Sequence, residues 1–176
     1  TVANLVMVKV GGSGYISLQN NKGTTDVLVD ITGYFSNGSL PSGARFQSTT
    51  APNRIYDTRA FEPDDPLKAG VERDIAVAGT GGVPATATAG VMNVTVASAT
   101  AAGDLRVFPN GDPLPTVSNI NYSTTAAPIP NLVIAKVGVD KKVTLRGSSG
   151  NTNVIVDVVG WFETGAPPPG DAYHPL

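Results

Sequence analysis

Along most of the chain, apolar side chains alternate with polar ones or fall in short β-branched runs, and clusters of Gly, Pro, Asn and Ser separate these stretches. A helical period is missing almost everywhere. The pattern predicts strands over 54–59, 72–77, 90–98, 104–108, 117–122, 132–137, 142–146 and 153–162. Turn chemistry stands between them, as Gly-Thr-Gly-Gly at 79–82, Pro-Asn-Gly at 109–111 and Gly-Ser-Ser-Gly at 147–150. In the last strand, alternation places Val154, Val156, Val158 and Phe162 on one face, with Gly160 between, and Asn153, Ile155, Asp157, Val159 and Trp161 on the other. Both faces are largely apolar, which marks an interior strand with Asp157 as its exception. About eight strands at this spacing predict an all-β fold, a β-sandwich. A β-trefoil-like barrel is the alternative, although thirds of the repeating unit do not resemble one another.

That unit is set by internal similarity. Val2-Ala-Asn-Leu-Val-Met-Val-Lys-Val-Gly11 is answered by Ile129-Pro-Asn-Leu-Val-Ile-Ala-Lys-Val-Gly138, at a shift of 127 residues that holds without a gap. Leu18 falls on Leu145, Gly23 on Gly150, Val27 on Val154, Val29 on Val156, Asp30 on Asp157, Gly33 on Gly160, Tyr34 on Trp161 and Phe35 on Phe162. Phe46 falls on Tyr173. The expected organisation is the C-terminal part of a preceding repeat at 1–35, a linker at 36–45, a complete repeat at 46–162, a Pro-rich linker at 163–172 and the start of a following repeat at 173–176. Residues 1–35 can supply about three strands, too few to close a core alone. They therefore belong to a longer tandem chain, or they dock into a neighbouring molecule by strand addition.

Composition narrows the function classes. Only 15% of residues are charged and the net charge is −2 with no basic cluster, which excludes the electrostatic footprint of a nucleic-acid binder. No window approaches 18 uninterrupted apolar residues, so no membrane span is expected. Cysteine is absent, which removes disulfides, thiolate metal sites and cysteine nucleophiles. The single histidine, His174, follows the proline-rich linker, so the complete repeat contains neither a Ser-His-Asp triad nor a histidine metal site. Asp57, Asp104 and Asp157 offer carboxylates for glycosidase-type chemistry, but fourteen acids in a chain allow such pairs by accident. Gly79-Thr-Gly-Gly82 lacks the Lys-Ser/Thr and the helix of a phosphate loop and reads as a turn. No enzymatic activity and no cofactor are expected.

The residues that stand out are polar ones in apolar surroundings. Arg54, Asp57 and Arg59 can form bidentate ion pairs that pin a strand entrance. Asp30 and Asp157 recur at one place in the repeat, and a carboxylate in a largely apolar strand needs a partner, for which Arg54 or Arg59 is the candidate. Calcium is the functional alternative for these acids, but no D-x-D-x-D-G loop supports it. Trp161, Tyr122 and Tyr56 are candidates for a glycan-stacking platform, against the simpler reading as core or cross-strand rings.

Arg54-Ile-Tyr-Asp-Thr-Arg59, Gly82-Val-Pro-Ala85, Val91-Met-Asn-Val-Thr95, Asn131-Leu-Val133 and Val154-Ile-Val-Asp-Val-Val-Gly-Trp-Phe162 occur in that order. The series resembles repeat domains of secreted and cell-surface proteins of Actinobacteria and related bacteria, which often carry R-x-x-D-T-R and end in D-V-x-G-Y/W-F. Asn153 stands where the first copy has Asp26, and Trp161 where it has Tyr34. The resemblance implies an extracellular setting and no activity of its own. The expected function is a non-catalytic structural repeat (stalk, spacer or filament subunit) whose partners are copies of itself or neighbouring repeats. The alternative is a module that binds glycan or cell-wall polymer, avid through repetition.

Overall fold

The computed structural model describes residues 2–36, 43–60, 65–124, 127–165 and 173–175, with side chains through residue 165. The described strands are β1 (Gly33–Phe35), β2 (Arg45–Asp57), β3 (Leu67–Lys68), β4 (Glu72–Ala76), β5 (Ala87–Ala97), β6 (Gly103–Pro109), β7 (Ile120–Tyr122), β8 (Ile129–Lys136), β9 (Lys142–Gly147), β10 (Asn151–Glu163) and β11 (Tyr173–Pro175). A single 3-10 turn, Thr58–Ala60, is the only helical element among the described residues. One sheet has the order β2-β10-β5-β8, with β3 pairing the start of β10, and the other has the order β4-β9-β6-β7. All pairings are antiparallel, and the two sheets pack against each other as a β-sandwich. Two stacked open sheets are not the closed barrel of a trefoil.

The core lies between the sheets, where alternate residues point inward. From the first sheet come Met92, Val94 and Val96 of β5 and Val154, Val156 and Val158 of β10. Leu105, Val107, Val143 and Leu145 meet them from the second sheet. β-branched side chains dominate because they fill a pleated surface at little rotamer cost.

Three departures from the sequence pattern have local causes. First, β2 begins at Arg45, within the stretch that reads as linker, because Phe46 lies over the Phe162 ring with centroids 5.6 Å apart and Arg45 pairs across the ladder with Glu163. Second, the strand expected over 117–122 shortens to β7, because Asn119 turns its side-chain oxygen to the Val107 amide at 2.7 Å. Third, β10 carries a bulge. Its register against β5 runs Val158↔Met92 and then Gly160↔Val91, leaving Val159 as an extra residue. Beyond a one-residue bulge the faces exchange. Trp161 consequently packs against the main core. Phe162 leaves the valine face predicted for it and joins Ala44, Ala89 and Val91 in a second cluster on the outer side of the first sheet. Gly160 is required here, since a Cβ would strike the Phe46 ring and come within 2.6 Å of the Gln47 carbonyl oxygen.

Residues 2–32 contain no strand, yet their backbone repeats that of 129–159 at each turn. The Gly14 amide donates to the Gly11 carbonyl at 2.9 Å, as Lys141 does to Gly138 at 3.0 Å. The Gly11 amide donates to Tyr15 at 2.9 Å, as Gly138 does to Lys142 at 2.8 Å. Positive φ recurs at Gly14 (85°) and Lys141 (69°), and at Gly23 (70°) and Gly150 (64°). The same local structure is therefore present with and without a sheet around it.

Burial, in contrast, differs completely between equivalent positions. Leu145 is 0% exposed and Leu18 is 64% exposed. Leu145→Ala is expected to cost about 2–5 kcal/mol, and Leu18→Ala less than about 0.5 kcal/mol, in urea unfolding of the chain. Equal costs would show that Leu18 is packed in solution.

Candidate functional site

The polar residues singled out in the sequence meet at one end of β2. In the ladder Asp157 of β10 lies opposite Arg54, and Val156 opposite Tyr56, so Ile55 is an extra residue in β2. That bulge turns Arg54 and Asp57 to the same side, which a regular strand would not do at a spacing of three. The Arg54 guanidinium then donates from Nε to Asp157 Oδ1 at 2.9 Å, from Nη2 to Oδ2 at 3.3 Å, and from Nη1 to Asp57 Oδ2 at 3.2 Å. Arg59 donates to Asp57 from Nε at 2.9 Å, from Nη2 at 2.8 Å and from its backbone amide at 3.0 Å. Two guanidiniums and two carboxylates balance one another, leaving no net charge to attract a ligand.

The side chain of Asp57 is only 11% exposed, while those of Arg54 and Arg59 are 51% and 43% exposed. Hydrogen bonding from Arg59, aided by the Arg54 charge and opposed by burial, holds the Asp57 carboxyl at about 2 against an ordinary 3.8. The pair with Asp157 in turn raises the pKa of Arg54. Of the residues expected here, Arg54, Asp57, Arg59 and Asp157 come together. Asp30 does not, lying exposed in the segment before β1.

Thr58 completes the corner and is absent from the residues singled out in the sequence. It is fully buried, donates its hydroxyl to Asn153 Oδ1 at 2.8 Å and accepts from the Val154 amide at 3.0 Å. The signal for it is its place inside Arg54-Ile-Tyr-Asp-Thr-Arg59, where each polar side chain proves to be engaged. Asn153, read from sequence only as a lost acid, supplies the acceptor.

The three aromatic candidates do not form a platform. Tyr122 is a buried core ring, 5% exposed, with its hydroxyl donating to the Ser149 carbonyl at 2.9 Å, and burial pushes its pKa up. Tyr56 is partly buried against the core and accepts a hydrogen bond from Arg73 at 3.0 Å, while Arg73 also pairs with Asp65 at 2.8 Å. Trp161 packs on the main core, and its indole Nε1 is buried without a hydrogen-bond partner. The surface carries shallow hollows. One, of about 160 Å³, is lined by Arg106, Arg146 and Ser148; another, of about 210 Å³, lies between 109–112 and 136–139. Among the described residues no group of three or more His, Cys, Asp or Glu is placed to hold a metal, and no helix is long and apolar enough to cross a membrane.

By fold, the chain is a two-layer antiparallel β-sandwich preceded by a partial copy of its own second half. Compared with protein-family models and with curated proteins, it matches none.

A pH dependence follows from the corner. The folded pKa of Asp57 is depressed, so its ionised form stabilises the fold above about pH 4, and that contribution disappears as pH falls towards about 2. The full shift corresponds to about 2 kcal/mol, and screening through the exposed arginines reduces this to about 1 kcal/mol. Asp57→Asn is expected to remove this part of the acid sensitivity, measured as urea midpoints at roughly pH 6 and pH 2.5. An unchanged acid response in the variant would place the sensitivity elsewhere.

Proposed function

We propose that this chain is a non-catalytic structural repeat of an extracellular, cell-surface or secreted protein, in which each copy extends and stiffens the whole as a stalk, spacer or filament subunit. The observation that supports this reading is the recurrence, at a constant 127 residues, of one sequence pattern and one set of backbone turns. Between copies stand stretches of ten residues, the second of which holds Pro167-Pro168-Pro169, and a Pro-rich composition acts as a semi-rigid spacer. Equivalent aromatic residues of successive copies also touch: the Phe35 and Phe162 ring centroids are 6.2 Å apart. Such a contact restricts the angle between one copy and the next.

The use of the polar residues agrees with a spatial role. The strongest ion-pair cluster secures the register of β2 on β10. The low charge content and the resemblance to secreted repeat domains support the extracellular setting. The glycan-binding alternative rested on Trp161, Tyr122 and Tyr56, and with those rings used in packing no observation favours it.

The test is length. In small-angle scattering, chains of one, two and three complete copies are expected to grow in maximum dimension by a constant increment per copy. Phe35→Ala is expected to broaden the distribution of distances between copies without unfolding either. Growth as the square root of copy number, the behaviour of freely jointed beads, would argue against a stiffening role.

A further inference from the structure

Arg106 of β6 and Arg146 of β9 stand directly opposite each other in the second sheet. Their strand neighbours Leu105, Val107 and Leu145 belong to the core, so alternation turns both guanidiniums onto the outer face. Side chains so placed start about 4.5–5.5 Å apart at Cβ, and like charges in that position repel. A strand pair that keeps two arginines there needs negative charge beside them.

The fold supplies only part of it. Arg106 donates from Nε to Asp104 Oδ1 at 2.9 Å and from Nη1 to the Pro115 carbonyl at 2.8 Å. Arg146 lies across the ladder from Glu72 and meets it through Nη1 alone, at 3.5 Å. Its Nε and Nη2, and Nη2 of Arg106, have no hydrogen-bond acceptor among the described residues. The contrast with the Arg54 corner is sharp, since Asp57 there accepts from Arg54 and from three nitrogens of Arg59.

Both guanidiniums line one hollow of about 160 Å³, together with Gly70, Leu114 and Ser148. Neither Asp104 nor Glu72 is part of its wall. Three connections build that wall, and each is tied down. The Gly70 amide, between β3 and β4, donates to the Gly147 carbonyl at 2.8 Å. The loop between β6 and β7, which carries Leu114, is held by the bond from Arg106 to Pro115. Ser148, between β9 and β10, donates its amide to the Asp104 carbonyl at 2.9 Å and accepts at Oγ from the Asp104 amide at 2.8 Å. Gly70 has a φ of 73°, and a Cβ there would lie 3.9 Å from Arg146 Nη2, so a glycine keeps this side of the hollow clear.

We propose that this hollow binds a small oxyanion, a carboxylate or phosphate group presented by another molecule, held by the Arg146 fork and by Nη2 of Arg106. Planar guanidinium forks match both groups, and the anion supplies the negative charge that the facing arginines lack. This binding site goes beyond the spacing role and is independent of it, since the length measurement can fail while the site holds.

Titration with acetate and with inorganic phosphate, against chloride at equal ionic strength, tests the site through the arginine Nε–Hε signals in NMR. Saturable shifts are expected at Arg106 and Arg146 in the millimolar range, and the probe that binds more tightly names the group. Arg54 and Arg59, whose Nε groups are already engaged by Asp157 and Asp57, are expected to stay still. Arg146→Gln is expected to weaken binding by about tenfold or more without changing thermal unfolding. Arg146→Lys keeps the charge beside Glu72 but loses the fork, and is expected to recover only part of the affinity. Three outcomes overturn the proposal: no saturable shift with either probe, equal shifts at all four arginines, or undiminished affinity in Arg146→Gln. If Arg146→Gln lowers the unfolding temperature, the Lys variant decides, and affinity equal to that of the original chain overturns the proposal.

Discussion

The sandwich rests on the way its chain alternates between sheets. Because β8, β9 and β10 pair only with strands from the earlier part of the repeat, no back half holds a ladder of its own. Sheet formation is consequently long-range in sequence, with the chain entropy of closing those loops spent before the hydrogen bonds form. Turns are different. The turns at 11–15 and 20–23 need only local bonds and a few residues at positive φ, so they persist where the strands beside them are unpaired. Residues 2–32 display this separation directly, with local structure present and sheet absent.

β10 carries the consequence of that topology, being flanked by β2 and β5 over most of its length. A central strand with two apolar faces has little in its side-chain pattern to distinguish one register from the next. The irregularities supply what the pattern lacks. The extra Ile55 in β2 lets Arg54 reach both Asp157 and Asp57, while Thr58 ties the following turn to Asn153 and the Val154 amide. Slipping the ladder by one residue would break the bonds that cross it and leave the partly buried Asp157 and the buried Thr58 without these partners. Buried polar groups left in that state cost about 1–3 kcal/mol each. The corner therefore selects one register from several that the valines alone would accept.

Much of this was legible in the sequence, and the unread part has a common cause. Strand positions, the sandwich and the pairing of Arg54 and Asp157 followed from period two and from the need of an acid in an apolar strand for a cation. Face assignment failed beyond Val159, because alternation assumes an unbroken pleat and a bulge has no signature in alternation. Trp161 and Phe162 exchanged sides for that reason. Thr58 was overlooked because a buried hydroxyl and an exposed one look alike in sequence. About three strands were expected from residues 1–35, and only Gly33–Phe35 forms one, because strand formation depends on partners far along the chain, which periodicity does not report.

Closely similar units joined in one chain face a particular hazard, since the strands that recognise their own sheet also fit a neighbour's. The exposed edges show how it is countered. In the first sheet, one edge, β2, is interrupted across 49–52 by its shift against β10, and Pro52 lies in that stretch. The opposite edge, β8, carries Pro130, which has no amide to offer a further strand. In the second sheet, β4 presents Glu72, Arg73 and Asp74 in succession, and β7 is three residues long. Short, charged or proline-bearing edges discourage sheet continuation between copies. On the outer face of the first sheet, away from these edges, Phe35 meets Phe162 with ring centroids 6.2 Å apart. A side-chain contact of that kind orients neighbouring units without merging their sheets, and in the complete sandwich it leaves the ladder closed to other strands.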